Sequence, residues 1–234
     1  VVFRYHPAGS LTPGSGTGSG DATVHAPDMM FPIIGAPSYP QSQVYNFGGG
    51  QVGGDQCDAR NYADPWRDNF CETRSSGTTP FCPKTGAHLG QDIRAGDRAG
   101  CQAMRAVSTP ADRMVYRVVA VEDGTISNIG RYTVNLRAGG RIYRYLHLNM
   151  AKLDVELGDE VKAGDPIGWL SNDFGGTPTT FHLHFEIKLN TVEHGWVYVS
   201  PYMSLVRAYE RMQAGAGEAI TEANVGTASV PGQP

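Results

Sequence analysis

The sequence predicts an all-β fold: an antiparallel meander core carrying a short C-terminal helix and a loop-rich N-terminal elaboration. Glycine (30 residues) and proline (15) are abundant in a chain of 234 residues whose charged fraction is only 18%. That balance suits short strands and turns and excludes a helical bundle or coiled coil. Beyond Asp112, apolar and polar residues alternate in short runs separated by Gly-containing turns, the period of half-buried strands. Nowhere do about 18 apolar residues follow one another, so no membrane-spanning helix is expected. Lys plus Arg number 19 against 23 Asp plus Glu, a net charge of −4, which excludes a protein built to wrap nucleic acid.

Each element follows in chain order. Residues 8–20, AGSLTPGSGTGSG, have no apolar period, and residues 1–30 as a whole read as a flexible linker or tail. The chain begins at Val1 rather than Met, so an upstream segment is expected to have been trimmed. Residues 31–81 alternate small apolar pieces with Gly and Pro and form a cysteine-containing elaboration of the domain behind them. Cys57, Cys71, Cys82 and Cys101 contain no C-x-x-C, which favours disulfides over a zinc ribbon. Nearest-neighbour pairing gives Cys57 with Cys71 and Cys82 with Cys101, and implies an exported, oxidising setting. MVYRVVAVE, TISNIG, YTVNLR and RIYRYLHLN then read as a meander with turns at Asp123-Gly124 and Ala138-Gly139-Gly140. LDVELGDEVKAGDPIGWLS adds further β-like pieces, and FHLHFEIKL follows the loop FGGTPTT. Ser200 as N-cap and Pro201 at the first helical position open a helix with Tyr202, Leu205, Val206, Tyr209 and Met212 on one face. The tail after Gln213 reads as mobile.

Chemistry concentrates in three of these segments. In FHLHFEIKL the alternation puts His182, His184, Glu186 and Lys188 on one face, with adjacent same-face positions about 7 Å apart. In His88-Leu89-Gly90-Gln91-Asp92 an extended backbone would hold the imidazole and the carboxylate about 13 Å apart, too far to share an ion. A bend at Gly90 brings them together. Two nitrogens and one oxygen suit zinc with a fourth position open to water. His147 closes a third segment, on the face shared by Tyr143 and Tyr145. Taken singly, each motif is more often an ordinary turn or a solvated strand; His88, Asp92, His147, His182 and His184 count as a combination. His6, His25 and His194 lie in tail or turn contexts.

HLGQD at 88–92, VAVEDGTISNIG at 119–130, YRYLHLN at 143–149, LGDEVKAGDPIGWLS at 157–171 and HLHFEI at 182–187 together resemble the lysostaphin-type (LytM-like) zinc endopeptidases of peptidoglycan, over residues 82 to 190. The resemblance implies a split-barrel-like peptidase domain over 82–205, with 206–234 as helix end and tail. It implies one zinc ion on His88, Asp92 and His184, with His147 and His182 as non-ligand catalytic histidines. Tyr143 and Tyr145 are then expected to bind substrate. It also implies a monomeric periplasmic or extracellular enzyme acting on peptidoglycan peptides, on D-Ala-to-diaminopimelate links or Gly-Gly bridges. Two stretches depart from the family pattern: NDFGGTPTT ahead of Phe181, and the insertion from Cys57 to Cys82. The alternative function is a non-catalytic module of the same fold that activates a cell-wall amidase, which has no need of a metal site. A cupin oxygenase requires a Glu four or five positions after the second His, which is missing here. A further expectation, motivated by the linker alone, is a pro-segment in residues 1–30 placing His25 or a nearby Asp on the open zinc position.

Overall fold

The computed structural model describes residues 1–49 and 53–221. The strands are β1 (Phe3–Tyr5), β2 (Ile33–Ile34), β3 (Ser38–Pro40), β4 (Gln91–Ala95), β5 (Arg117–Val119), β6 (Gly124–Ile129), β7 (Thr133–Ala138), β8 (Arg141–Leu146), β9 (Glu160–Val161), β10 (Pro166–Trp169), β11 (Leu183–Thr191), β12 (Gly195–Val199) and β13 (Gly217–Ala219), with helices α1 (Arg98–Ala106) and α2 (Tyr202–Gln213). The main sheet is antiparallel with order β3-β4-β11-β8-β7-β6-β9, and β12 pairs with the C-terminal half of β11. β6, β7 and β8 form the expected meander. The two-residue turn between β7 and β8 is Gly139-Gly140, where the register pairs Ala138 with Arg141. Gly139 sits at φ 60°, as a turn twisted to match its strands requires. The MVYRVVAVE segment does not extend this meander. Its strand β5 joins a separate sheet, between β10 and β2.

β11 is the organising strand. Its N-terminal half lies between β4 and β8, with His184 opposite both Asp92 and Leu146. Leu183, Phe185 and Ile187 enter the core beside Tyr143, Tyr145, Val134 and Leu136, while the alternate side chains face the other way. The sheet thus fixes the histidine face by burying the opposite one.

Further expectations are corrected. All four cysteines are in disulfides, but the pairs are Cys57–Cys101 and Cys71–Cys82. Nearest-neighbour pairing fails because α1, which the sequence did not suggest, carries Cys101 to a Cα separation of 5.4 Å from Cys57. That helix is short, is capped by Asp97 on Gly100 N, and buries only Cys101 and Met104, a single i,i+3 pair. Residues 1–30 are not a free linker. β1 pairs in parallel with β13, Phe3 packs 4.4 Å from Trp66 between ring centroids, and Leu11, Ala26 and Met29 are buried. Their apolar residues are too widely spaced to show a period. α2 begins one residue later than expected, with Pro201 in the cap position. Tyr202, Leu205, Val206 and Tyr209 are buried as read, and Met212 is exposed. The tail after Gln213 is not mobile throughout, since Gly217–Ala219 pairs with β1; residues from 222 onward lie outside the described residues.

The two disulfides close loops of sequence separation 44 and 11, for which loop entropy gives about 4 and about 3 kcal/mol. Replacing Cys57 and Cys101 by Ser is therefore expected to lower unfolding free energy more than replacing Cys71 and Cys82. Urea denaturation of both double variants checks this order.

Candidate metal centre

His88, Asp92 and His184 are buried and offer ligand atoms lying within 4.8 Å of one another. Asp92 stands on β4 and His184 on β11, paired across the ladder, while His88 precedes a bend at Gly90. A Cβ at Gly90 would lie 2.5 Å from Phe185 O and 2.7 Å from His184 Nε2, so only glycine lets the 88–92 segment cross β11 this closely.

The outer hydrogen bonds set which nitrogens point inward. His88 Nδ1 lies 2.9 Å from the carbonyl oxygen of Asn69 and donates to it, which leaves Nε2 as a lone pair. His184 Nε2 lies 2.8 Å from Glu186 Oε1, which leaves Nδ1 facing inward. Those two inward nitrogens are 2.9 Å apart, and Asp92 Oδ1 is 3.2 Å from the first and 3.1 Å from the second. Ligand atoms of a tetrahedral zinc at about 2.05 Å stand about 3.3 Å from each other. Three electron-rich atoms at this spacing repel unless a positive charge lies among them, so the donor set fits a divalent cation. Burial works against a charged His184, but its bonds to Asp92 and Glu186 outweigh burial and push it up to about 9. His88 is instead pulled down to about 4 by burial, against the attraction of Asp92. Burial opposes ionisation of Asp92, yet the facing imidazoles hold its carboxyl well below the usual range.

His182 and His147 face the same region. His182 Nε2 is 3.3 Å from Asp92 Oδ1, and its Nδ1 donates to the Thr180 carbonyl at 2.9 Å. His147 Nδ1 donates to the Asp173 carbonyl at 2.9 Å, and its ring centre is 4.8 Å from that of His182 and 5.9 Å from that of His184. Burial, then the neighbouring His182 and His184, keep His147 well below the ordinary histidine range. A cavity of about 500 Å³, lined by Arg113, Arg131, Asp173 and Phe174 among others, adjoins His147, whose ring meets Phe174 edge-on at 5.2 Å.

His147 does not share the face of Tyr143 and Tyr145. Alternation holds only along extended backbone, and β8 ends at Leu146, after which His147 takes φ 71°. The left-handed turn swings its imidazole towards His182 and His184. Tyr143 and Tyr145 remain on the core side, fully buried. The Tyr143 hydroxyl donates to Glu122 Oε1 at 2.9 Å, and Tyr145 Oη accepts from Val121 N at 3.0 Å. The expectation that they bind substrate is therefore withdrawn. Tyr143→Phe should cost about 1 kcal/mol of stability through one lost hydrogen bond while leaving kcat/KM within about twofold, readable by thermal denaturation beside steady-state kinetics. His25 does not point to a blocking role either, since its Nε2 pairs with Asp21 Oδ2 at 2.6 Å.

Two supporting residues lay beyond sequence reasoning. Glu186 was placed on the histidine face without a role; it holds His184 and is itself paired with Arg144. Asn69 lies in the insertion, and nothing in its sequence context marks it.

The description "Peptidase family M23" matches residues 86–201. Residues 86–201 are a peptidase family M23 domain. Over 131 residues the chain is 28% identical to the glycyl-glycine endopeptidase ALE-1 of Staphylococcus capitis, covering 56% of this chain and 33% of that protein. Over 126 residues it is 27% identical to lysostaphin of Staphylococcus simulans, covering 54% of this chain and 23% of that protein. The chain thus spans a third or less of these curated relatives. Among solved structures, a putative glycyl-glycine endopeptidase LytM of Ruminococcus gnavus aligns with TM-score 0.41 at 27% identity, covering 57% of this chain and 51% of the other. The catalytic domain of Staphylococcus simulans lysostaphin aligns with TM-score 0.37 at 24% identity, covering 56% and 87%. All five histidine and aspartate groups of the centre lie inside the M23 domain; Asn69 lies outside it.

Proposed function

We propose that the M23 domain is a zinc-dependent endopeptidase that hydrolyses cross-links or stem peptides of bacterial peptidoglycan in an exported compartment. The observation that carries this reading is the convergence of two imidazole lone pairs and one carboxylate oxygen on one point, with two further imidazoles alongside. His88, Asp92 and His184 would hold the ion, and bound zinc supplies Lewis acidity that polarises a carbonyl and acidifies water. His147, kept neutral by its surroundings, accepts a proton from the attacking water. His182, anchored through Nδ1 on Thr180, presents Nε2 to the same region, beside the point where charge develops on substrate. Hydrolysis adds the water's hydroxyl to the carbonyl carbon and returns its proton to the leaving amine, so the pair of imidazoles ends as it began. A module that only activates an amidase would gain nothing from this arrangement. The two disulfides fit an exported enzyme.

Purified cell wall incubated with the protein, with and without a chelator and beside His184→Ala, tests the reading. Mass analysis should show peptide bonds opened by the native protein alone, and the fragments distinguish D-Ala-to-diaminopimelate cleavage from Gly-Gly cleavage. Chelator-insensitive cleavage, or equal cleavage by His184→Ala, defeats the proposal.

A further inference from the structure

Asn69 belongs to the cysteine-containing segment outside the M23 domain, yet its polar groups converge on the His88–Asp92 stretch. Its backbone N donates to Gln91 Oε1 at 3.1 Å. Its backbone carbonyl accepts from His88 Nδ1 at 2.9 Å. Its side-chain Nδ2 donates to Asp92 Oδ2 at 2.8 Å, and its Oδ1 accepts from Asp92 N at 3.1 Å. One buried residue therefore fixes the tautomer of one inward imidazole and, through the second carboxylate oxygen, the rotation of Asp92 that leaves Oδ1 facing the histidines.

The segment is itself firmly held. Asp68 Oδ1 accepts from Phe70 N at 2.9 Å, and Asp68 Oδ2 accepts from Gly9 N at 2.8 Å. Cys71 N donates to His88 O and His88 N donates to Glu72 O, each at 2.8 Å. The Cys71–Cys82 disulfide closes the loop just beyond. Chain from outside the M23 domain thus lies as a short strap along His88, with Asn69 at the point of contact.

We propose that Asn69 is a positioning residue for the metal ligands, so that ion affinity depends on a segment outside the M23 domain. This rests on the metal-binding reading above. Partners that orient ligands in this way typically contribute 10- to 100-fold to metal affinity. A purely structural stitch would instead support folding without touching the ion, and Gln91 provides that comparison. Its side chain bonds Asn69 N, the Arg67 carbonyl at 3.3 Å and the Asp92 backbone carbonyl at 3.1 Å, and it bonds neither imidazole nor the Asp92 carboxylate.

The test measures zinc affinity of the full chain by competition with a chromophoric chelator, for the native protein, Asn69→Leu and Gln91→Ala, each beside its metal-free thermal stability. Asn69→Leu is expected to bind zinc at least tenfold more weakly, while Gln91→Ala loses stability and keeps its affinity within about threefold. Where Leu does not fold, Asn69→Ala replaces it. In the native protein, the Asn69 side-chain amide resonances should shift on zinc addition. Undiminished affinity in the Asn69 variants, an equal loss in Gln91→Ala, or unshifted amide resonances overturns the proposal. Failure of the native protein to bind zinc would instead remove the functional reading on which it rests.

Discussion

His147→Ala and His182→Ala are each expected to lower kcat by about 10²- to 10⁴-fold while retaining one zinc per chain. Their inner nitrogens stand beside the ligand group rather than within it. His182 Nε2 is 3.3 Å from Asp92 Oδ1, and His147 lies beyond it, 4.8 Å from His182 between ring centres. His88→Ala, Asp92→Ala and His184→Ala each remove one of the converging atoms and should lose metal and activity together. Metal content by atomic emission, set beside steady-state kinetics on a soluble cross-linked peptide, separates the two classes. A His147 variant with unchanged kcat would end the proton-acceptor role given to it. A His182 variant stripped of zinc would move that residue into the ligand set. The magnitude expected for His147 follows from its environment: a buried imidazole whose neighbours oppose protonation starts the reaction in the form that accepts a proton, and an alanine removes that acceptor.

What the sequence made legible follows the regularity of the backbone. β11 was readable because strict alternation over FHLHFEIKL survives folding, with Leu183, Phe185 and Ile187 in the core and His184 and Glu186 opposite. The Gly139-Gly140 hairpin was readable from its turn chemistry. The convergence of His88, Asp92 and His184 was legible because each sits in a local motif, although its assembly needed the resemblance to a family. His147 was placed on the wrong face because one positive φ reverses the alternation, and no residue type announces that turn. The nearest-neighbour disulfide pairing fails because the pairing depends on α1, whose buried face is a single i,i+3 pair. Asn69 was invisible for a related reason. Its role comes from lying across a strand bend some twenty positions away, and separation of that kind leaves no spacing to recognise.

Gly90→Ala carries the second large expected effect, and it acts through volume alone. Gly90 is not among the residues with positive φ, so alanine meets no backbone penalty there. Its Cβ, however, would stand 2.5 Å from Phe185 O, 2.7 Å from His184 Nε2 and 2.8 Å from Glu186 Cγ. The first contact is backbone of the central strand and cannot swing aside. Either the 88–92 segment lifts from β11 or the His184–Glu186 hydrogen bond opens. Overpacking of this kind typically costs about 1 to 3 kcal/mol, and a ligand displaced by about 1 Å can cost about 10²-fold in rate. Gly90→Ala is therefore expected to melt lower than the native protein and to lose about 10²-fold in kcat/KM, with zinc affinity weakened alongside. Circular dichroism melting, the chelator competition and peptide kinetics read the three effects on one preparation. Native-like melting and turnover in this variant would mean that the approach of His88 and Asp92 to β11 is looser than the geometry requires, and would remove the steric reason for a glycine between the two ligands.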